Sequence, residues 1–362
     1  MEPLRRGSLA AATALAALAA PSARPCAPAP RPGQVVTIET EQALIVWDGA
    51  ARREHFVRRA RFESSAGDFG FLVPTPTPPE LAEVPDAVFD RLHEAIAPEV
   101  VHRTGLRPLP FALLALPFTM MRTRSAPDGA SLPVAAAPQA VRVLEEKRVG
   151  GYQAVVLQAE DPTALLRWLA GHGYDARPEL QEWLVPYIQR KWTITAFKVD
   201  PGSAHDVATQ AVRMSFASDR PFFPYREPAD QRQKPHGFRE LLVYLATPAR
   251  MEGALGSGQR WDAYTSWAAP RPGLGALVAP ALPAGAAVAE GTWLHAFVDR
   301  QDPRPGTDDL FFGPSPAGTV RPPPVVIDDR TELPLPLDLL AGAFVGVLWW
   351  RRRSIRARGA QS

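Results

Sequence analysis

The sequence predicts an α+β protein with a mainly antiparallel sheet, a few packed helices, an N-terminal signal helix and a single C-terminal transmembrane helix. Three observations support this prediction. Segments with strand composition recur between residues 34 and 300, short segments with helical periodicity interrupt them, and an apolar run lies near each end of the chain. Hydrophobic residues make up 46% of the 362 residues, which is enough for a sizeable core.

The N-terminal residues 1–23 are typical of a secretory signal peptide. Arg5 and Arg6 precede an uncharged run rich in Ala and Leu at residues 8–20, and small residues follow it. A membrane span requires roughly 20 residues, so we expect this shorter run to be a cleaved signal. A proline-rich leader at residues 24–33 contains Cys26, the only cysteine. An intrachain disulfide is therefore excluded, and Cys26 is either a free thiol or bonded to another chain.

The first strands and a helix are predicted between residues 35 and 97. Residues 35–47 and 55–62 are rich in β-branched and apolar side chains, and the Asp-Gly pair between them favours a turn. Residues 69–73 form a short apolar strand that a proline ends. Residues 85–97 have Val, Leu and Ile at every fourth position, so we expect a helix there.

Two more helices are predicted in the second half of the domain, with strands on either side. Asp161 and Pro162 are the residue types preferred at a helix N-cap and at the first helical position. Residues 178–189 have apolar side chains at helical spacing. The segments with strand composition are residues 152–158, 192–199, 208–216, 239–246 and 292–298.

Proline-rich segments mark the predicted domain boundaries. Residues 34–300 form an extracytoplasmic α+β domain, which is either one body or two lobes. In the second case the lobes are residues 34–104 and 141–300, and the proline-rich segment 105–140 joins them. A second proline-rich segment, residues 301–332, is predicted to be a linker.

The C-terminal residues 333–350 are mostly apolar and are followed by five arginines. This pattern predicts a single-pass transmembrane helix whose basic tail, residues 351–362, lies in the cytoplasm. The membrane is thus a predicted partner through this helix. A helix of this length rises about 27 Å, just under the hydrocarbon core of a bilayer. A C-terminal tail that is removed after export is the alternative.

The charge of the chain is concentrated at its two ends. The net charge is +2 overall, +1 over residues 1–23 and +4 over residues 333–362, so residues 24–332 carry −3. A nucleic-acid-binding domain is not supported by this distribution. We interpret the local arginine cluster at residues 52–61 as a solvated strand face.

Several segments between roughly residues 34 and 248 have a distinctive sequence: QALIVWDGAARREHFVRRARFESSAGDFGFLVPTPTPPEL, RVGGYQAVVLQAEDPTALLRWLAGHGY, PYIQRKWTITAFKVDP, MSFASDRPFFPYR and ELLVYLATP. These segments resemble a known bacterial family, Domain of Unknown Function 2330. The resemblance implies an exported or envelope-attached protein of unknown function, often with a hydrophobic C-terminal tail. It supplies no catalytic residues. The early region of the family commonly has more cysteines than this chain, so a disulfide-stabilised N-terminus is not expected.

No sequence motif indicates a reaction, a cofactor or a metal. Among the seven histidines no pair has the four-residue spacing of a zinc peptidase, although His93 and His102 are close enough in sequence to meet at a helix end. The histidines are His55, His93, His102, His172, His205, His236 and His295. No nucleophile elbow is present, and the Gly-Ser segment at residues 253–258 lacks a phosphate-loop Lys.

Acidic residues are candidates for general acids only if the fold brings them together in a cleft. These candidates are Asp68, Glu160, Asp161, Glu240, Asp299, Asp302, Asp308 and Asp309. The last four could bind calcium through oxygen ligands, but their spacing matches no known loop, and we favour a solvated linker.

Aromatic residues form two groups that could bind a peptide or glycan if they are exposed. One group is Phe222, Phe223 and Tyr225, and the other is Trp261, Tyr264 and Trp267, whose three-residue spacing fits a helical turn. We favour core positions for both. The favoured function is a non-enzymatic envelope domain that binds or scaffolds a protein, peptide or cell-wall partner. The alternative is an extracytoplasmic hydrolase with a His/carboxylate site assembled by the fold.

Overall fold

The computed structural model describes residues 28–30, 36–64, 69–104, 106–108, 141–174, 176–199, 206–232, 239–329, 331–333 and 337–358. The chain divides into two compact units. Unit 1 contains Met1–Leu92 and Pro127–Val320, and unit 2 contains His93–Ala126 and Arg321–Ser362. Each unit is described by itself.

The described residues form six α-helices and twenty strands. The helices are α1 (Ala87–Ala95), α2 (Pro162–Gly171), α3 (Pro178–Gln189), α4 (Ala229–Arg232), α5 (Leu274–Val278) and α6 (Leu337–Arg358), with a 3-10 turn at Ala279–Ala281. The strands up to residue 199 are β1 (Pro28–Pro30), β2 (Val36–Asp48), β3 (Arg53–Ser64), β4 (Phe69–Thr75), β5 (Glu80–Val84), β6 (Val100–Arg103), β7 (Leu106–Pro108), β8 (Val141–Val149), β9 (Tyr152–Ala159) and β10 (Thr193–Val199). The later strands are β11 (Asp206–Ala208), β12 (Ala211–Ala217), β13 (Phe222–Phe223), β14 (Glu240–Thr247), β15 (Met251–Leu255), β16 (Tyr264–Pro270), β17 (Trp293–Asp299), β18 (Leu310–Pro314), β19 (Val325–Asp328) and β20 (Thr331–Leu333).

Unit 1 is built around two large sheets. The eight-stranded sheet has the order β16-β17-β14-β2-β3-β12-β5, with β11 also paired to β3, and the five-stranded sheet has the order β1-β4-β10-β9-β8. A third sheet has the order β13-β18-β15. All pairs in these sheets are antiparallel except β14 with β2. The predicted α+β class with mainly antiparallel sheet is therefore confirmed.

Two hydrophobic clusters hold these layers together. The larger one joins inward-facing residues of the eight-stranded sheet, such as Ile45 and Phe56, to Phe71 and Phe197 of the five-stranded sheet. The second cluster joins the opposite face of the five-stranded sheet to α2 and α3, through residues such as Trp183. Alternate side chains of a strand point to opposite faces, so β4, β8, β9 and β10 of the five-stranded sheet each contribute to both clusters.

The local sequence signals agree with several observed elements. The Asp161 carboxylate accepts hydrogen bonds from the backbone N–H groups of Thr163 and Ala164, as the predicted N-cap of α2 requires. Asp48 accepts from the N–H groups of Ala50 and Ala51, which closes the predicted turn between β2 and β3. Strands β2 and β3 of one predicted lobe and β12, β14 and β17 of the other lie in the same sheet.

Unit 2 contains two short parallel strand pairs and the C-terminal helix. Strand β6 pairs with β19, β7 pairs with β20, and α6 follows. The predicted transmembrane helix at residues 333–350 is not supported, since no helix among the described residues is both long and apolar enough to cross a membrane. The physical reason is that α6 begins at Leu337, so 14 residues precede Arg351 and rise only about 21 Å. The predicted signal peptide lies outside the described residues.

Candidate functional site

A cleft of about 270 Å³ lies at one end of the eight-stranded sheet. Strands β2 and β14 run parallel and end there, while β3 and β17 begin there. The segment between the 3-10 turn and β17 covers this end of the sheet and supplies residues 286–292 of the lining. The cleft is therefore framed on one side by hydrogen-bonded strands and on the other by one connecting segment.

The lining of the cleft combines small apolar side chains with a few polar ones. The residues are Val46, Trp47, Asp48, Gly49, Ala50, His55, Ala246, Pro248, Leu282, Ala286, Ala287, Val288, Ala289, Glu290, Gly291 and Thr292. The lining contains two carboxylates, Asp48 and Glu290, and no Lys or Arg among the described residues. An apolar wall with a few converging polar groups is the usual composition of a small-molecule site.

His55 is the most buried of the polar residues that line this cleft. Its Nδ1 atom lies 2.9 Å from the hydroxyl of Ser215 on the adjacent strand β12. Burial, together with the positive charges of Arg213 and Arg53, lowers the pKa of His55 to about 4. The imidazole is therefore neutral near pH 7. Since Nδ1 is committed to Ser215, Nε2 is the nitrogen that remains for a ligand in the cleft.

His55 and Ser215 are as close as a general base and its nucleophile, but a substrate could not reach the nucleophile. The side chain of Ser215 is completely buried, so no substrate reaches its hydroxyl. Arg53 and Arg213 are each ion-paired to Glu80, at 3.4 and 3.5 Å. The arrangement therefore fits hydrogen bonding to a ligand better than nucleophilic attack.

A second polar group lies in the interior of unit 1 and consists of ion pairs. Arg58 Nε is 2.5 Å from Glu41 Oε1, and Arg239 is paired with Glu227. Burial by itself would raise the pKa of Glu41, but Arg58, with smaller contributions from two other arginines, lowers it below its usual value. Glu41 is therefore ionised, and its pairing with Arg58 offsets the cost of burying both charges.

Asp299 extends this buried network at the end of β17. Its Oδ2 atom accepts hydrogen bonds from the Tyr225 hydroxyl at 2.7 Å and from Trp261 Nε1 at 3.1 Å. Arg304 Nε lies 3.7 Å from the same oxygen, and the Arg304 side chain is fully buried. The network is enclosed by the core, so we assign it to stability.

Three other described histidines, His102, His172 and His295, have structural partners, and His93 lies in the last turn of α1. His295 uses Nδ1 to donate to the carbonyl of Leu245 and Nε2 to accept from the N–H of Met251, both at 3.0 Å. His172 Nδ1 lies 2.6 Å from the Trp168 carbonyl. His102 is paired with Asp329. His205 and His236 lie outside the described residues, as do Asp68 and Cys26.

The proposed acidic group does not form a metal site in the described part of the chain. No cluster of three or more His, Cys, Asp or Glu side chains there could hold a metal ion. The expectation of a solvated segment is wrong for Asp299 and Asp309, because both are fully buried. Asp309 accepts hydrogen bonds from the Tyr187 hydroxyl and the Arg226 N–H, and burial raises its pKa to about 7.

The core prediction for the aromatic residues is confirmed with one exception. Phe222, Phe223 and Tyr225 are almost completely inaccessible. Trp261 and Trp267 are also buried, but Tyr264 is 68% exposed. The predicted helical turn is wrong, because Tyr264 and Trp267 lie on strand β16, which has a bulge between them. A bulge offsets the alternation of side chains, and the three-residue spacing mimicked a helix.

His55 was one of seven histidines in the sequence that no motif assigned to a site. The strand pattern around His55 was visible, but the pairing of β3 with β12, which brings Ser215 beside it, joins segments far apart in the chain. No prediction was made for residues 284–291, which are rich in Ala and Gly. Their one sequence signal is a run of short side chains, which leaves space over the strand ends.

Comparisons with known proteins give a family but no activity. No curated protein matches this chain. Among solved structures, the crystal structure of baculovirus P35 has 7% sequence identity, covers 77% of this chain and 97% of its own, and has a TM-score of 0.37. Residues 20–271 match the family described as an uncharacterized protein conserved in bacteria. That match includes more than half of the sequence, and the chain belongs to this family, DUF2330.

Proposed function

We propose that the protein is an exported, non-enzymatic binding protein of the bacterial envelope that holds a small ligand in the cleft beside His55. The observation that carries the proposal is a strand-framed cleft of about 270 Å³ in which a neutral imidazole is fixed through Nδ1 by Ser215. A fixed donor or acceptor at the floor of an apolar cleft orients a ligand at little entropic cost.

The charges of the lining define the class of ligand. Asp48 and Glu290 are the charged residues of the described lining, and both are acidic. The rest is mostly Ala, Val, Leu, Pro and Gly. The ligand is therefore a small molecule or peptide end with an apolar body and a positively charged amine, which the carboxylates attract, and His55 hydrogen-bonds a neutral group of the same ligand.

Calorimetric titration of the purified protein tests this proposal. The probes are short alkyl amines and dipeptides with free N-termini, compared with their N-acetylated forms. We expect the free amines to bind and the acetylated forms to bind much more weakly. Val288→Trp should abolish binding by filling the cleft, whereas the matched change Val143→Trp, at an exposed position on β8, should preserve it. Equal binding by the two variants contradicts the proposal.

The location outside the cytoplasm rests on the signal-like residues 1–23. A fusion of the whole chain to a reporter enzyme that is active only after export measures it directly. Activity that disappears when Arg5, Arg6 and residues 8–20 are replaced supports export. Equal activity without that segment contradicts it.

A hydrolase is the second candidate, because His55, Asp48 and Glu290 share one cleft. In that case the neutral His55 acts as a base on water rather than on the inaccessible Ser215. A screen with ester and amide substrates distinguishes the two functions. Turnover that is lost in His55→Ala and kept in His172→Ala supports the hydrolase, and its absence favours binding.

A further inference from the structure

Helix α6 has an apolar surface that none of the described residues covers. The consecutive residues 343–353 are all exposed. Six large apolar side chains among them are 46–68% accessible: Phe344, Val345, Val347, Leu348, Trp349 and Trp350. Successive residues of a helix are rotated by about 100°, so the seven residues 344–350 cover the full circumference of the helix.

Because α6 is apolar on all sides over residues 344–350, only some kinds of partner can bury this surface. A protein partner or a second copy packs against one stripe of a helix and leaves the other face polar. A helix that is apolar all round is buried in a core or in lipid. We propose that α6 docks into an anionic lipid bilayer, with residues 344–350 immersed among the acyl chains.

The charged end of α6 complements such a surface. Arg351, Arg352 and Arg353 are exposed immediately after the tryptophans, and two more arginines follow in the sequence. The guanidinium of Arg353 lies 4.7 Å from the ring centre of Trp349. Tryptophan beside arginine is typical of the boundary between acyl chains and headgroups. Each basic residue near an anionic surface strengthens binding by about a factor of five.

The neighbouring strand pairs add a sequence observation. Strands β7 and β20 are parallel, so the chain leaves Pro108 and Leu333 at the same end. Beyond Pro108, the sequence of residues 109–121 is uncharged and apolar and is followed by Arg122 and Arg124. That segment lies outside the described residues, and the docking surface is α6 alone.

This proposal is independent of the ligand in the cleft. It is tested with the full chain by co-sedimentation with vesicles of phosphatidylcholine alone or mixed with phosphatidylglycerol, and by the emission wavelength of tryptophan. We expect binding to the anionic vesicles and a blue shift. The triple variant Arg351→Glu, Arg352→Glu, Arg353→Glu should bind roughly a hundredfold more weakly. Trp349→Ser with Trp350→Ser should lose the blue shift that comes from the helix.

A matched control separates the docking surface from net charge. Arg142→Glu, Arg148→Glu and Arg260→Glu change the charge by the same amount at exposed positions of unit 1 and should leave binding unchanged. Equal weakening by both triple variants overturns the proposal, as does the absence of binding by the unmodified chain. A dimer in size-exclusion chromatography that Phe344→Asp dissociates would show that a second copy, not lipid, covers α6.

Discussion

The interior of unit 1 and the cleft at the end of its largest sheet both gather polar side chains, but their partners differ. In the interior, Arg58 has a carboxylate at 2.5 Å, and both ring nitrogens of His295 are satisfied by backbone groups. In the cleft, His55 has one such partner, the Ser215 hydroxyl. His295, whose two ring nitrogens are both paired with the backbone, stabilises the fold, whereas His55 keeps a second ring nitrogen that can bind something else.

We expect the largest loss of stability when a buried ion pair is broken. Arg58→Met leaves the Glu41 carboxylate in the core without its nearest cation, and we expect a loss of about 3–5 kcal/mol in the free energy of unfolding. Urea denaturation measures it. Arg300→Met is the control, because the Arg300 side chain is 68% exposed and its pair with Glu240 should contribute less than about 1 kcal/mol.

The double variant Arg58→Met with Glu41→Leu sharpens this test. Removing both charges takes away the uncompensated carboxylate, so we expect most of the lost stability to return. If Arg58→Met costs no more than Arg300→Met, the interior network does not stabilise the fold.

The buried carboxyl of Asp309 should make the free energy of unfolding depend on pH. Its usual pKa is 3.8, and burial raises the pKa to about 7. The hydrogen bonds from Tyr187 and Arg226 lower the pKa, but by less than burial raises it. Between these values the folded protein keeps a proton that the unfolded chain has released, so this residue lowers stability as pH rises. Asp309→Asn cannot titrate. We expect the stability of Asp309→Asn relative to the unmodified protein to increase by about 3–4 kcal/mol from pH 4 to pH 7.

Urea denaturation at several pH values measures that difference. Asp219→Asn removes the same charge at an exposed position and should leave the pH profile of the unmodified protein in place. A difference for Asp309→Asn that stays constant with pH would show that the carboxyl is ionised in the fold despite its burial.

The sequence predicted the helices α1, α2 and α3 and eight strands of the two large sheets, because their signals are local. Residues 35–47 were expected as strand and β2 is Val36–Asp48, and the helix expected at residues 178–189 is α3. Strand β5 was missed, because its residues lie between proline-rich segments. The parallel pairing of β14 with β2 was not predictable, because parallel pairing joins distant segments and leaves no hairpin signal.

The same limit applies to the candidate site. Val46, His55 and Ala246 come together only through the order of the strands, and nothing near His55 in sequence indicates that Ser215 is its partner. The burial of Arg58 was also not visible, since an arginine on an alternating strand is usually solvated. Local patterns therefore located the strands, and the topology determined which polar groups were enclosed.

The smallest predicted effect is the difference in stability cost between replacing His295 and replacing His55 by Ala. His295→Ala leaves the Leu245 carbonyl and the Met251 N–H without partners in the core, so we expect a loss of about 2–3 kcal/mol at pH 7. His55→Ala leaves one buried group, the Ser215 hydroxyl, without its partner, against two groups for His295→Ala, and should cost only about 1–2 kcal/mol. Thermal or urea denaturation gives both values.

Acidification provides an independent check on the same pair. Burial lowers the pKa of both histidines from 6.5 to about 4. Between pH 4 and pH 6.5 these histidines are therefore protonated in the unfolded chain but not in the folded protein. Their contribution to stability is complete above pH 6.5 and declines as the pH falls toward 4, and each Ala variant should show a shallower decline. If the two variants cost the same at pH 7, His55 is held as firmly as a core histidine. The cleft would then be a packing defect, because a ligand site requires a ring whose second nitrogen is not already used by the fold.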